Sequence, residues 1–177
     1  SFNIISNNAA SKYGTASIVK SDLIPENILM DTAGRAIVFN IGAITLANLY
    51  LPSGTDAISR NQRENIFSET IPQLLLNRMD SGLIGGDMNC ITQSIDCTHH
   101  PESKKSPSLT RLLRTFDMVD TFRSIVPNKK VYSHYYNYGL HGQGATRIDR
   151  SYNWGQVTVN TARYEPVAFS AHMAYVV

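Results

Sequence analysis

The sequence predicts an α+β fold in which two β-sheets pack together with helices outside. Three observations carry this reading. Short apolar segments of strand length recur in two groups, each group is accompanied by a segment of helical period, and nothing between them has the composition of a linker or repeat. The chain has 177 residues, 42% hydrophobic and 17% charged, which suffices for a real core and excludes a disordered tail or fibrous repeat. One domain spanning 1–177 is the economical reading.

In the first group, no strand is expected within Ser1 to Ser11. Thr15 to Lys20 reads as a half-buried strand, and Arg35 to Asn40 as another, after the turn-prone Asp31 to Gly34. Ala43 to Tyr50 forms a longer strand, stopped by Pro52 and Gly54. These three are expected to be antiparallel neighbours. From Asn61 the period turns helical through Ile66, Phe67, Thr70, Ile71, Leu74 and Leu75, and Pro72 should kink or split that helix. Leu83 and Ile84 mark a brief buried strand running into Gly85-Gly86-Asp87. Leu109, Leu112, Leu113 and Phe116 mark a second helix, with Ser106 placed to cap it and Pro107 in its first turn. Strands return at Lys130 to Tyr136, Thr146 to Tyr152, Gln156 to Asn160 and Met173 to Val177.

Several classes are excluded. No apolar run approaches the ~20 residues that span a bilayer, and Ser1 to Lys12 lacks the pattern of a signal peptide. Cys90 and Cys97 cannot build a disulfide framework and read as reduced thiols of an intracellular protein. The net charge of +2 does not identify a partner. The start at Ser1-Phe2-Asn3, without methionine, suggests a piece of something larger.

Two constellations could carry chemistry. At the end of a buried strand, Asp87 and Asn89 stand two positions apart and can share one small ligand, Asp87 accepting a proton from water and Asn89 bonding the same water or a phosphate oxygen. From this segment alone, a turn in which both side chains bond their own backbone is the commoner outcome. The second constellation is Thr146-Arg147-Ile148-Asp149 with Ser170-Ala171-His172. If the two segments lie side by side, Asp149 can accept the imidazole N–H and favour a cation that meets a phosphate. None of the other histidines, His99, His100, His134 and His141, sits in a comparable setting, and Cys97 with His99 and His100 matches no closed zinc site. Tyr50 by itself is a core or rim aromatic.

Taken in order, these segments resemble the endonuclease domains of LINE-type retrotransposons, relatives of the apurinic-site endonucleases in the exonuclease/endonuclease/phosphatase superfamily. That family shows N-(I/V)-Y-x-P, G-D-(F/L)-N, (S/T)-(R/K)-I-D and a terminal S-D-H before an apolar strand. This chain has Asn48-Leu49-Tyr50-Leu51-Pro52, Gly86-Asp87-Met88-Asn89, Thr146-Arg147-Ile148-Asp149 and Ser170-Ala171-His172. Met118 to Arg123, continuing to Pro127, resembles the family's L-x-D-x-(W/F)-R connection, and Tyr132-Ser133 its tyrosine–threonine strand. The match runs from about Gly14 to the last residue.

The resemblance implies a four-layer α/β/β/α sandwich and a magnesium- or manganese-dependent nuclease that nicks DNA, leaving a 3′-hydroxyl to prime a reverse transcriptase domain of the same polyprotein, in the nucleus. It implies that Asp87 activates water with Asn89, that Tyr50 bonds the scissile phosphate, and that Asp149 orients His172. Asn48, Ser133, Thr146, Arg147 and Ser170 would contact substrate. Two departures are notable. The family's metal-binding glutamate is absent, so the chain is expected to begin after the strands that bear it, and Ala171 replaces the aspartate of S-D-H. Metal binding should therefore be weakened and this chain a weak or inactive nuclease, with a sheet edge or core face left exposed. A superfamily phosphatase or phosphodiesterase acting on a small phosphorylated substrate, and a DNA-binding module without chemistry, are the competing readings. Target preference is expected to depend on the loops Ser94 to Ser108 and Asn137 to Gly144.

Overall fold

The computed structural model describes residues 1–8, 13–137 and 142–177. Its centre is a six-stranded sheet, built from β3 (Glu26–Met30), β4 (Ala36–Ile41), β5 (Ile44–Tyr50), β6 (Ser81–Asp87), β7 (Val119–Asp120) and β10 (Asp149–Trp154). The spatial order is β3-β4-β5-β6-β10-β7. β5 and β6 are parallel, and every other pair is antiparallel. The remaining strands pair as hairpins: β1 (Phe2–Asn7) with β2 (Thr15–Lys20), β8 (His134–Asn137) with β9 (Gln143–Thr146), and β11 (Arg163–Glu165) with β12 (Ala174–Val176). The class is the α+β one expected, a large sheet flanked by helices.

Alternation along the strands decides what covers each face. Ala36, Val38, Ala47, Leu49, Ile84, Tyr152 and Trp154 point to one side. There they meet Phe67, Ile71 and Leu75 from the first helical run, and Leu109 and Leu112 from α3 (Pro107–Thr115). On the other side Ile37 and Phe39 meet Ile5 and Val19 of the β1–β2 hairpin. The hairpin is tied down by Asn48, whose side-chain amide donates to the Ala16 carbonyl at 2.8 Å. Its outer face leaves Phe2, Ile4 and Ile18 about two-thirds exposed (66, 71 and 68%).

The helices follow local chemistry. Asp56 caps α1 (Ala57–Asn65), its carboxylate accepting from the Ser59 N–H at 2.9 Å. Ser106 caps α3 in the same way through the Leu109 N–H at 3.0 Å, with Pro107 leading, as expected. Pro72 does not split the first helical run. A π-helical turn, Ile66–Thr70, lies between α1 and α2 (Ile71–Leu74), with the Ile71 N–H reaching back to the Ile66 carbonyl. The widened turn makes room for a proline that has no N–H to donate.

Several strand expectations need correction. Residues 2–7 form β1, and Thr15–Lys20 pairs with it rather than with β4. Glu26 opens β3, an exposed edge strand. Residues 146–152 are split between β9 and β10, because the backbone N–H groups of Ile148 and Asp149 both turn to the Ser133 hydroxyl at 3.0 Å. Of 130–136 only the end is strand, and 157–160 form none, while β7, α4 (Thr121–Ile125) and β11 were not anticipated. Among the described residues no helix is long and apolar enough to cross a membrane.

A buried ion cluster joins the later segments. Asp96, fully buried, accepts from Arg147 Nε at 2.8 Å and Nη2 at 3.1 Å, and from Arg123 Nη2. Arg147 also donates to Asp120 at 2.6 Å. Burial alone would raise the Asp96 pKa, but the arginine hydrogen bonds and charges hold it below the usual carboxylate range. Arg147, expected to contact substrate, is thus fully buried and spent on two carboxylates. Replacing it with alanine leaves Asp120 without its ion pair and takes one of the arginine partners from Asp96, so Arg147→Ala should cost about 3–5 kcal/mol in urea denaturation. A loss within the range of an ordinary surface substitution would show the cluster to be dispensable.

Candidate active site

The site is laid out by strand register. Tyr50 pairs with Asp87 across the parallel β5–β6 ladder, and Asp87 pairs with Asp149 across the antiparallel β6–β10 ladder. One row across three neighbouring strands therefore carries a tyrosine and two carboxylates on the hairpin-covered face. Gly86 is needed for this approach: its φ is +137° and an added Cβ would lie 1.9 Å from the Leu49 carbonyl oxygen.

Asn89, at φ +48°, folds back on Asp87. Its backbone N–H donates to Asp87 Oδ1 at 2.9 Å, and its side-chain amide to Oδ2 at 3.0 Å and to the Leu51 carbonyl at 2.9 Å. The turn expected as the bland outcome is present, and it fixes the carboxylate beside the other acid. Burial first, and the Asp149 charge second, push the Asp87 pKa up to about 6, near that of a useful general base.

His172 Nδ1 lies 2.9 Å from Asp149 Oδ2. The hydrogen bond that the ring N–H donates to this carboxylate raises the imidazole pKa, against its partial burial. Ser170 contributes through its hydroxyl, which accepts the His172 backbone N–H at 3.0 Å. Ser133, expected at the substrate, is fully buried and holds the Asp149 backbone. Asn48 faces the β1–β2 hairpin. Thr146 does line the cavity, whereas Ala171, next to His172, is exposed.

That cavity, about 330 Å³, is bordered by Tyr50, Asp87, Asn89 and His172. His134 borders it too, its ring centroid 4.5 Å from that of His172. This corrects the reading that no second histidine sits comparably. The signal was the Tyr132-Ser133 motif, one residue away: Ser133 and Met173 pair through a backbone bond of 2.7 Å, which places His134 opposite His172. Arg35 was also missed. Its guanidinium lies 4.0 Å from the Tyr13 ring centroid and 5.0 Å from that of Tyr50, a stack that fixes the tyrosine. Cys90 borders the cavity as well, but burial pushes its thiol up to about 11, so it is no thiolate at neutral pH. Residues 138–141 of the Asn137 to Gly144 loop, His141 among them, lie outside the described residues.

Among the described residues, Asp87, Asp149 and His172 are the one group of potential metal ligands, their ligand atoms within 4.8 Å of one another; Cys97, His99 and His100 form no such group. The donor set fits a hard divalent cation, which commonly uses one or two carboxylates plus substrate phosphate.

No protein-family model matches the sequence, and no curated protein does. Solved structures do share the fold. The 3′ phosphatase NExo from Neisseria, bound to product DNA hairpin, superposes with a TM-score of 0.75 at 14% identity, over 98% of this chain and 77% of that one. The 3′-5′ exonuclease NExo from Neisseria meningitidis gives 0.74 at 15% identity, over 98% and 78%. An AP endonuclease from Archaeoglobus fulgidus gives 0.72 at 19% identity, over 98% and 77%. The fold of this chain is the exonuclease/endonuclease/phosphatase one.

The His172–Asp149 pair gives a direct test. The pair stabilises the protonated ring, so its contribution to folding is complete below the unfolded imidazole pKa and disappears as pH rises through the raised folded value. In Asp149→Asn the partner charge is gone, and an NMR titration should show the His172 pKa falling. Coincident curves for the two proteins would mean that Asp149 does not act on the ring.

Proposed function

We propose that the chain is a metal-dependent phosphodiesterase acting on DNA, an endonuclease domain of the LINE type. The observation that carries the chemistry is the single register row Tyr50–Asp87–Asp149, completed by His172 on Asp149. The exonuclease/endonuclease/phosphatase fold supports a nuclease, and the ordered motifs from Asn48 to His172 favour the retrotransposon branch, with a reverse transcriptase as partner domain. A phosphatase of small substrates shares the Asp87 and His172 elements, but the Asp120–Arg123 and Arg147–Asp149 motifs are those of the nucleases.

In this reading Asp87, held by Asn89, takes the proton of a water whose oxygen attacks phosphorus. The bond from phosphorus to the 3′-oxygen breaks, and that oxygen leaves and takes a proton from solvent water to become a 3′-hydroxyl. The Tyr50 hydroxyl bonds the phosphate, and protonated His172, oriented by Asp149, stabilises its growing charge. Asp87 and Asp149 would hold Mg²⁺ or Mn²⁺, which supplies positive charge against the phosphate. Ala171, standing where the family has a carboxylate, leaves that cation weakly bound and the activity low.

Nicking of supercoiled plasmid tests the proposal. Asp87→Asn should slow it by roughly 10²–10⁴-fold, chelation should stop it, and Ala171→Asp should speed it. Plasmid left intact by both the native chain and Ala171→Asp, with a small phosphate ester hydrolysed, would overturn the assignment to DNA. The pH–rate profile should rise as Asp87 loses its proton, at or below about 6 because a bound cation favours the carboxylate, and fall above the usual imidazole range as His172 loses its own. Asp149→Asn should bring the alkaline limb to lower pH. An alkaline limb that stays in place would remove His172 from the chemistry.

A further inference from the structure

The cations of the cavity fall into two kinds. Arg63, largely buried, is spent on structure: its guanidinium donates to the Pro52 carbonyl at 2.7 Å and the Gly54 carbonyl at 2.9 Å, fixing the loop after Tyr50. Arg60, one turn earlier on α1, borders the same cavity with its Nε buried and, among the described residues, without a partner. A buried donor left without an acceptor is destabilising, which a ligand oxygen would relieve.

Lys104 is a second cavity cation whose side chain is, among the described residues, bonded to neither a carboxylate nor a backbone carbonyl. Its neighbour Lys105 is neutralised by Glu102 at 2.6 Å. Lys104 instead borders the cavity, with Nζ 4.3 Å from the centroid of the Tyr136 ring and 2.6 Å from its hydroxyl. The aromatic ring fixes the ammonium in place and leaves its charge intact. Among the described residues no carboxylate forms an ion pair with Arg60 or Lys104.

We propose that Arg60 and Lys104 bind phosphates neighbouring the scissile one, so that the substrate is a nucleic-acid strand running through the cavity rather than a small phosphate ester. The inference rests on the phosphodiesterase reading above. One phosphate already has His172, Tyr50 and a cation on the two carboxylates. Two further positive groups, from separate segments of the chain and free of protein counter-charge, match the further negative charges that only a polymer brings.

Counterion release gives a readout independent of catalysis. Binding of a fluorescein-labelled DNA duplex is measured by anisotropy over a range of salt concentrations, without divalent metal, so that nothing is cut. Each phosphate contact contributes about 0.9 to the slope of log affinity against log salt. Arg60→Ala and Lys104→Ala should each flatten that slope by about this amount, while Arg60→Lys and Lys104→Arg keep it and Lys105→Ala changes nothing. If both alanine variants keep the wild-type slope, the phosphate contacts are refuted, and plasmid nicking by the wild type would leave the nuclease reading standing. A wild type that does not bind the duplex overturns both.

Discussion

The candidate site depends on one constraint, the pairing register of β5, β6 and β10. Strands in a sheet lie about 4.8 Å apart, so residues in one row on one face have side chains within reach of a shared ligand. A slip of one residue would send Asp87 to the opposite face and dismantle the row. Two features hold the register. Gly86 lets the β6 backbone approach β5 where no side chain fits. Ser133, fully buried, takes the N–H groups of Ile148 and Asp149 and so sets where β10 begins.

The buried arginine cluster plays the same part at longer range. Asp96, Asp120 with Arg123, and Arg147 come from three separate stretches and converge through hydrogen bonds. Arg147 stands two residues before Asp149, so anchoring its guanidinium fixes the strand that presents the catalytic candidate. Asp120 also caps α4, its carboxylate accepting the Arg123 N–H at 3.0 Å. A motif that reads as substrate contact is here a brace for the site.

What the sequence revealed follows from this division. Asp87, Asn89, Asp149 and His172 were legible because each belongs to a short segment whose spacing carries chemistry, and α3 because its cap and apolar period are local. β1 was not: Asn3 and Ile5 differ little from a polar tail, and Ile5 becomes core only when Phe39 lies over it. Arg147 and Ser133 were misread for a related reason. Whether a polar side chain faces a ligand or a buried carboxylate is set by residues far away in sequence. His134 was missed because its closeness to His172 arises from a pairing across the fold, not from any spacing.

The electrostatics of the trio connect these points to function. Asp87 and Asp149 face each other in the row, and their mutual repulsion with burial raises the Asp87 pKa to about 6. His172 draws Asp149 into a hydrogen bond and returns positive charge, lowering the Asp87 pKa again. In the proposed mechanism the group is balanced between a base free of its proton and an imidazole that keeps its own. Both conditions hold together only in the interval between the two pKa values. A divalent cation on the carboxylates would widen that interval from the acid side, since it favours their ionised forms.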